Sequence, residues 1–404
     1  VDALTIRNAR VLTLSGGVVR RGRSMGDLGI VERGFVRCRG HVIEQVGAGE
    51  PAERGGTEID AQGRVCMPTL VDAHAHLCWG GERWAEWEKI RQGVPYPRIL
   101  AEGGGILSTV RATRATSVED LAQGLRGRLQ AMARLGVGAT EAKSGYGLNE
   151  ASESRMLEAI ALAAADSPVL VQRTFLGGHA VPPDDPEWPR RLASGVIADF
   201  AGRFPGVAMD AFCERSALDV ETCRAILRAA RAANCVARLH TDQFNALGGV
   251  AMAVQEGART VDHLEAAGPA EVAEVAASDT MAVLLPCSGY ALDGRYAPGR
   301  ALVDAGAAVA LGSNANPGSA PTVDLRFAMH LAVRHAGLRA SEAIVAATVN
   351  AAWALGMHER VGRLEPGMLA NVMLLAERDE RSLVHGFAGE PPVTVVLGGR
   401  VIDA

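Results

Sequence analysis

From about residue 66 onward the chain alternates short apolar runs with longer stretches of helical period. Eight runs have the length and branched-residue content of strands: "TLVDAHA", "GATEAKS", "LVQRTFL", "VAMDAFC", "VARLHT", "TVDHLE", "MAVLLPC" and "AVALGSN". The stretches between them carry helix signals. In "SVEDLAQGLRGRLQAMARLG", Ser117 is placed to cap and Asp120 completes a pattern like a capping box. Leu121, Leu125, Leu129 and Met132 share one face, and Gly136 can end the helix. "DVETCRAILRAARAAN" repeats the design, with Asp219 at the cap, Val220, Cys223, Ile226, Leu227 and Ala230 inward, and Asn234 at the end. Eight strand–helix units predict an α/β fold, a (β/α)8 TIM barrel over residues 66–364, with its chemistry at the C-terminal ends of the strands.

The two ends of the chain have another texture. "ALTIRNARVLTL", "FVRCRGHVIEQVG" and "GTEIDAQGRVCMP" read as short strands separated by glycine-rich turns, and "GRLEPGMLANVMLL" and "PPVTVVLGGRVID" repeat that reading at the far end. Residues 1–65 and 365–404 are therefore expected to build one composite β-sandwich domain, with the barrel inserted between them.

Composition changes this picture little. A chain of 404 residues accommodates one large barrel and a minor domain. With 48% hydrophobic residues, 22% charged residues and a net charge of −5, it offers no basic field for nucleic acid. No apolar run approaches the roughly 18 residues of a membrane span, and "VDALTIRNAR" lacks the apolar core of a signal peptide, so a cytoplasmic protein without a membrane partner is expected. The seven cysteines form no CxxC pair and read as buried free thiols.

Candidate chemistry lies with the ten histidines. His74 and His76 fall at the end of the first strand, His179 after the third, His240 on the fifth and His263 on the sixth. Residues one apart on a strand project to the same face, so His74 and His76 can chelate one cation. A lone HxH is more often a chance pair. Asp72 just before it, and His240 and His263 at matching heights on later strands, favour a metal site, with zinc or iron as the cations that neutral imidazoles suit.

Several longer motifs, "VDAHAHLCWGGER", "GGGILSTVRATR", "EAKSGYGL", "TFLGGHAVPP", "LHTDQFNALGG", "VDHLEA" and "NPGSAPT", resemble the amidohydrolase superfamily and, within it, the imidazolonepropionases, over essentially the whole chain. The resemblance implies hydrolysis of the ring amide of 4-imidazolone-5-propionate to N-formimidoyl-L-glutamate. It implies one Zn2+ or Fe2+/Fe3+ per subunit, held by His74, His76 and His240, with His263 as carbonyl polariser or proton carrier. Arg83, Tyr96, Tyr146, His179, Gln243, Asn316, Gly318 and Ser319 would contact a small molecule with a carboxylate tail, and the protein is expected to form a homodimer. Arg83 has an independent warrant, since a guanidinium binds a carboxylate through two parallel bonds. Its alternative is a pair with Glu82 or Glu86. Lys143 and Glu141 share one face of the second strand and read as an internal ion pair orienting the site, with a carbamylated metal-ligating lysine as the alternative.

Two positions depart from the family pattern. Where most amidohydrolases end the eighth strand with a metal-site aspartate, this chain has Asn314, and Gln243 stands where some imidazolonepropionases carry glutamate. Neither amide accepts a proton at ordinary pH. A dication among three neutral imidazoles keeps its full positive field and can ionise water near pH ~7, which leaves His263 as proton carrier and Asn314 as an orienting group or weak oxygen ligand. Retained hydrolysis with an altered pH profile is the favoured expectation. Action on another cyclic amide or amidine, including deamination, and a catalytically silent binding relative stay open.

Overall fold

The computed structural model describes residues 3–53, 55–94, 98–99, 102–387 and 389–402. The N-terminal segment contributes β1 (Ala3–Leu12), β2 (Ile30–Arg39), β3 (Val42–Ala48), β4 (Thr57–Asp60) and β5 (Val65–Pro68). The barrel follows as β6 (Leu70–Asp72), β7 (Val137–Lys143), β8 (Leu170–Gly178), β9 (Ala208–Cys213), β10 (Ala237–Thr241), β11 (Thr260–His263), β12 (Met281–Leu284) and β13 (Val309–Leu311). The chain ends with β14 (Val372–Leu374), β15 (Thr394–Leu397) and β16 (Arg400–Ile402).

All eight runs expected to be strands are strands, and they pair in parallel, in sequence order, from β6 to β13. The caps hold as well. Ser117 Oγ accepts from the Asp120 N–H at 3.1 Å at the start of the helix Val118–Arg134, and an Asp219 carboxylate oxygen accepts from the Thr222 N–H at 2.7 Å before the helix Val220–Ala232. Leu121, Leu125, Leu129 and Met132 are buried on the first helix, and Cys223, Ile226, Leu227 and Ala230 on the second. Val220 is only partly buried.

The two ends of the chain meet in one mixed sheet of order β16-β15-β14-β5-β1-β2-β3, with β4 on β1. Its apolar side joins Leu4, Ile6, Val36, Cys66, Val372 and Val396 in a core separate from that of the barrel helices. Among the described residues no helix is long and apolar enough to cross a membrane.

Buried Asn350 ties the N-terminal segment to the barrel. Its Oδ1 accepts from the Arg20 N–H at 2.8 Å, and its Nδ2 donates to the carbonyls of Arg20 at 2.9 Å and Val309 at 2.8 Å. Asn350→Ala leaves these backbone groups buried without partners. Unfolding by denaturant is expected to show a loss of about 3 kcal/mol, at the upper end for one such site.

Candidate metal centre and substrate pocket

Beyond β6 the chain bends at Ala73 and runs on against the end of β13. Ala73 N–H donates to the Leu311 carbonyl at 3.2 Å, Asn314 N–H to the His74 carbonyl at 2.9 Å, and His76 N–H to the Ala315 carbonyl at 2.9 Å. Asp72 sits in this seam and accepts from the Ser313 N–H at 2.9 Å, and burial pushes its carboxyl up to about 6. His74 and His76 therefore point into the mouth together, where His240 from β10 meets them. His74 Nε2 lies 3.2 Å and His240 Nε2 3.3 Å from His76 Nε2.

Each outer imidazole has its second nitrogen engaged. His74 Nδ1 donates to Asp262 Oδ2 at 2.6 Å, and His240 Nδ1 to Asp210 Oδ1 at 3.1 Å. These bonds put the proton on Nδ1 and leave both Nε2 atoms with outward lone pairs. Burial, reinforced by Lys143 and the neighbouring imidazoles, holds His74 well below the ordinary histidine range. Burial also lowers His76 and His240, against the opposing pull of Asp210. With both of those Nε2 atoms as acceptors, only His76 Nε2 is left to donate to them, whereas one cation would satisfy all three nitrogens at once. Tetrahedral bonds of 2.0–2.1 Å place ligand nitrogens about 3.3 Å apart, close to the separations found. The donor set fits a transition metal. A ring nitrogen of His263 also lies within 4.8 Å of those of His74 and His240. His76, at 3.2 and 3.3 Å, and His263, within 4.8 Å, are thus both in reach as third partner of the His74 and His240 pair.

The five strand-end histidines and Tyr146 form one cluster. Ring centroids are 4.4 Å apart for His74 and His240, 5.5 Å for His240 and His263, 5.0 Å for His76 and His179, and 5.3 Å for Tyr146 and His179. His179 Nδ1 donates to the Gly145 carbonyl at 3.0 Å, and burial pushes this imidazole down to about 3, so it stays neutral. His263 Nδ1 bonds Glu265 Oε1 at 3.1 Å.

Four residues at this rim have positive φ. His263, Leu264, Asp242 and Asn314 have φ of 88°, 71°, 55° and 56°. Asp, Asn and His are the non-glycine residues most often found at positive φ, while the bulky Leu264 there is an outlier held by the surrounding structure. Gln243 turns to Ser288, donating to its Oγ at 3.1 Å.

The "NPGS" turn is held by Asn316. Its Oδ1 accepts from the N–H groups of Gly318 at 2.8 Å and Ser319 at 2.7 Å, and its Nδ2 donates to the Asn314 carbonyl at 2.6 Å. Asn316 thus shapes the turn from within. Arg83 lies across Gly318 so closely that a Cβ at 318 would stand 2.1 Å from Arg83 Nη1. Arg83 also pairs with Glu86, so the alternative anticipated for it is present along with the contact to the turn. Burial pushes the Tyr146 phenol up, with the nearby Arg83 and Arg128 charges opposing, so it remains a hydrogen-bond donor. Tyr96 lies outside the described residues.

Several groups were missed from the sequence. Glu153 accepts from the N–H groups of Gly145, Gly147 and Leu148 at 2.7–2.9 Å and so holds the loop carrying Tyr146. Glu214 does the same for the loop after His240, accepting from the N–H groups of Phe244 and Asn245. Asp210, Asp262 and Arg238 had a readable signal, charged residues inside otherwise apolar strands. Lys143 forms the expected internal ion pair with Glu141 at 2.8 Å and a second with Asp210 at 2.6 Å.

A parallel barrel with converging imidazoles at its C-terminal mouth defines a class of metal-dependent hydrolases, and the sequence matches the amidohydrolase family over residues 65–402, so the chain belongs to that family. Within the family it is similar along nearly its whole length to imidazolonepropionases. It is 40% identical to the one from Chloroflexus aggregans, over 99% of this chain and 98% of the relative. It is 42% identical to the one from Deinococcus radiodurans, over 94% of each. Among solved structures, a 5-methylcytosine deaminase from Klebsiella pneumoniae superposes with a TM-score of 0.75 at 17% identity, covering 98% of this chain and 97% of that one, which shows the shared fold.

His240→Ala is expected to abolish stoichiometric metal in elemental analysis, while Asn314→Ala largely keeps it. Equal loss in both would make Asn314 a ligand of comparable weight.

Proposed function

We propose that the pocket hydrolyses the ring amide C–N bond of 4-imidazolone-5-propionate to N-formimidoyl-L-glutamate. The observation that supports this reading is the guanidinium of Arg83 packed on Gly318, at the turn that follows the Asn314 position, and near enough to act on the Tyr146 phenol, whose ring lies 6.0 Å from that of His76. Similarity at 40% identity to an imidazolonepropionase over nearly the whole chain supports it.

His74, His76 and His240 would hold one zinc or iron ion, which when bound would polarise the ring carbonyl and acidify the attacking water. The remaining roles belong to the chain's own side chains. Arg83 takes the propionate, with the Tyr146 phenol and the Ser319 hydroxyl as donors to the tail or the ring oxygen. With its Nδ1 on Glu265, His263 presents Nε2 to the pocket and carries the proton to the leaving nitrogen. That nitrogen becomes part of a basic amidine, which eases its departure. Gln243 and Asn314 orient ligands without accepting protons.

Those two amides also fit a second reading, a relative that binds the ring without turning it over. Formation of N-formimidoyl-glutamate by metal-loaded protein separates the two. Turnover is expected, and its absence across about pH 6 to 10 defeats the hydrolase reading. Asn314→Asp restores a carboxylate and is expected to extend the acid limb of the kcat/KM profile to lower pH. An unchanged limb would mean that position 314 takes no part in proton removal.

Gly318→Ala pushes aside only the flexible end of Arg83, so the expected outcome is a KM raised about tenfold or more with an unchanged melting temperature. A propionate-free ring should not distinguish the variant from the native protein.

A further inference from the structure

Beneath the imidazole triad lies a set of buried charges that the reaction does not use directly. Arg238 Nη2 donates to Asp262 Oδ2 at 3.0 Å and to the Ala73 carbonyl at 2.8 Å. Asp262 is the carboxylate that receives His74 Nδ1 at 2.6 Å. On the other side, Lys143 Nζ lies 2.6 Å from Asp210 Oδ2, and Asp210 receives His240 Nδ1 at 3.1 Å. Glu141 joins the two halves, 3.2 Å from Arg238 Nη1 and 2.8 Å from Lys143 Nζ, and Thr174 Oγ1 donates to it at 2.5 Å. The charged side chains of this set are at most 1% exposed.

Two metal-facing imidazoles are thus backed in the same way, by a carboxylate that is itself gripped by a buried cation. His76 is not: its Nδ1 is buried without a hydrogen-bond partner among the described residues, and its ring stacks on His179. A cation behind each carboxylate has two effects. It fixes the carboxylate oxygen, and with it the imidazole plane. It also compensates a charge that would otherwise be buried alone, at a cost of several kcal/mol. Arg238 adds a third effect, because its bond to the Ala73 carbonyl anchors the backbone immediately before His74.

We propose that Arg238 and Lys143 are positioning residues for the metal site, acting on His74 through Asp262 and on His240 through Asp210, with Glu141 coupling the two arms. The proposal rests on the metal reading above. Groups that orient ligands in this way typically change metal affinity 10–100-fold when removed.

The test is zinc affinity by chelator competition, read alongside the unfolding midpoint of the metal-free protein. Arg238→Lys keeps the charge but loses the fork that spans Glu141, Asp262 and the Ala73 carbonyl, and Lys143→Met removes the second cation. Each is expected to weaken zinc binding about 10–100-fold. Thr174→Val, nearly isosteric and without a charge change, serves where the other two do not fold, and is expected to weaken binding at least about twofold in the same direction. Folded variants with native zinc affinity overturn the proposal, as does native affinity in Thr174→Val if it alone folds. A native chain that takes up no zinc or iron defeats the metal reading itself, whereas native uptake with indifferent variants defeats only the positioning role.

Discussion

The seam between the end of β6 and the end of β13 is the constraint on which the rest of the site depends. It closes the barrel through backbone bonds from Ala73, His76 and Asn314, and the same bonds fix where His74 and His76 point. The approach is close enough that a Cβ at Gly312 would stand 2.6 Å from the Cβ of His74, so a side chain at 312 would force open the backbone that carries His74 and His76. Asn314 enters the left-handed region just past this contact, a conformation that Asn tolerates better than most residues. Barrel closure, ligand direction and the unusual amide therefore share one short stretch of backbone.

Above the seam, buried carboxylates organise the loops by gathering backbone N–H groups. Glu153 holds three in the loop that carries Tyr146, and Glu214 holds two in the loop after His240. Asn316 does the same for the "NPGS" turn with its amide oxygen. Three separate loops are thus set before any substrate arrives, and that pre-organisation is what differential binding of a transition state requires. Burial completes the arrangement by keeping His74, His76, His179 and His240 neutral, the state in which imidazole nitrogens can donate lone pairs.

The sequence by itself determined the eight strand–helix units, the helix caps at Ser117 and Asp219, and the HxH pair, because each is written in near neighbours: alternation, helical period, and a side chain reaching three residues along. It also showed that Asn314 and Gln243 lack a proton-accepting carboxylate, since that is a matter of residue identity alone. Only the tertiary structure decided which carboxylate meets which imidazole. Asp262 is 188 residues from His74 and Asp210 is 30 from His240, and both pairings exist only once parallel strands have been brought side by side in one register. A charged residue within an apolar strand announces that it needs a partner. The partner's identity follows from barrel closure, a property of the whole chain that no local window contains.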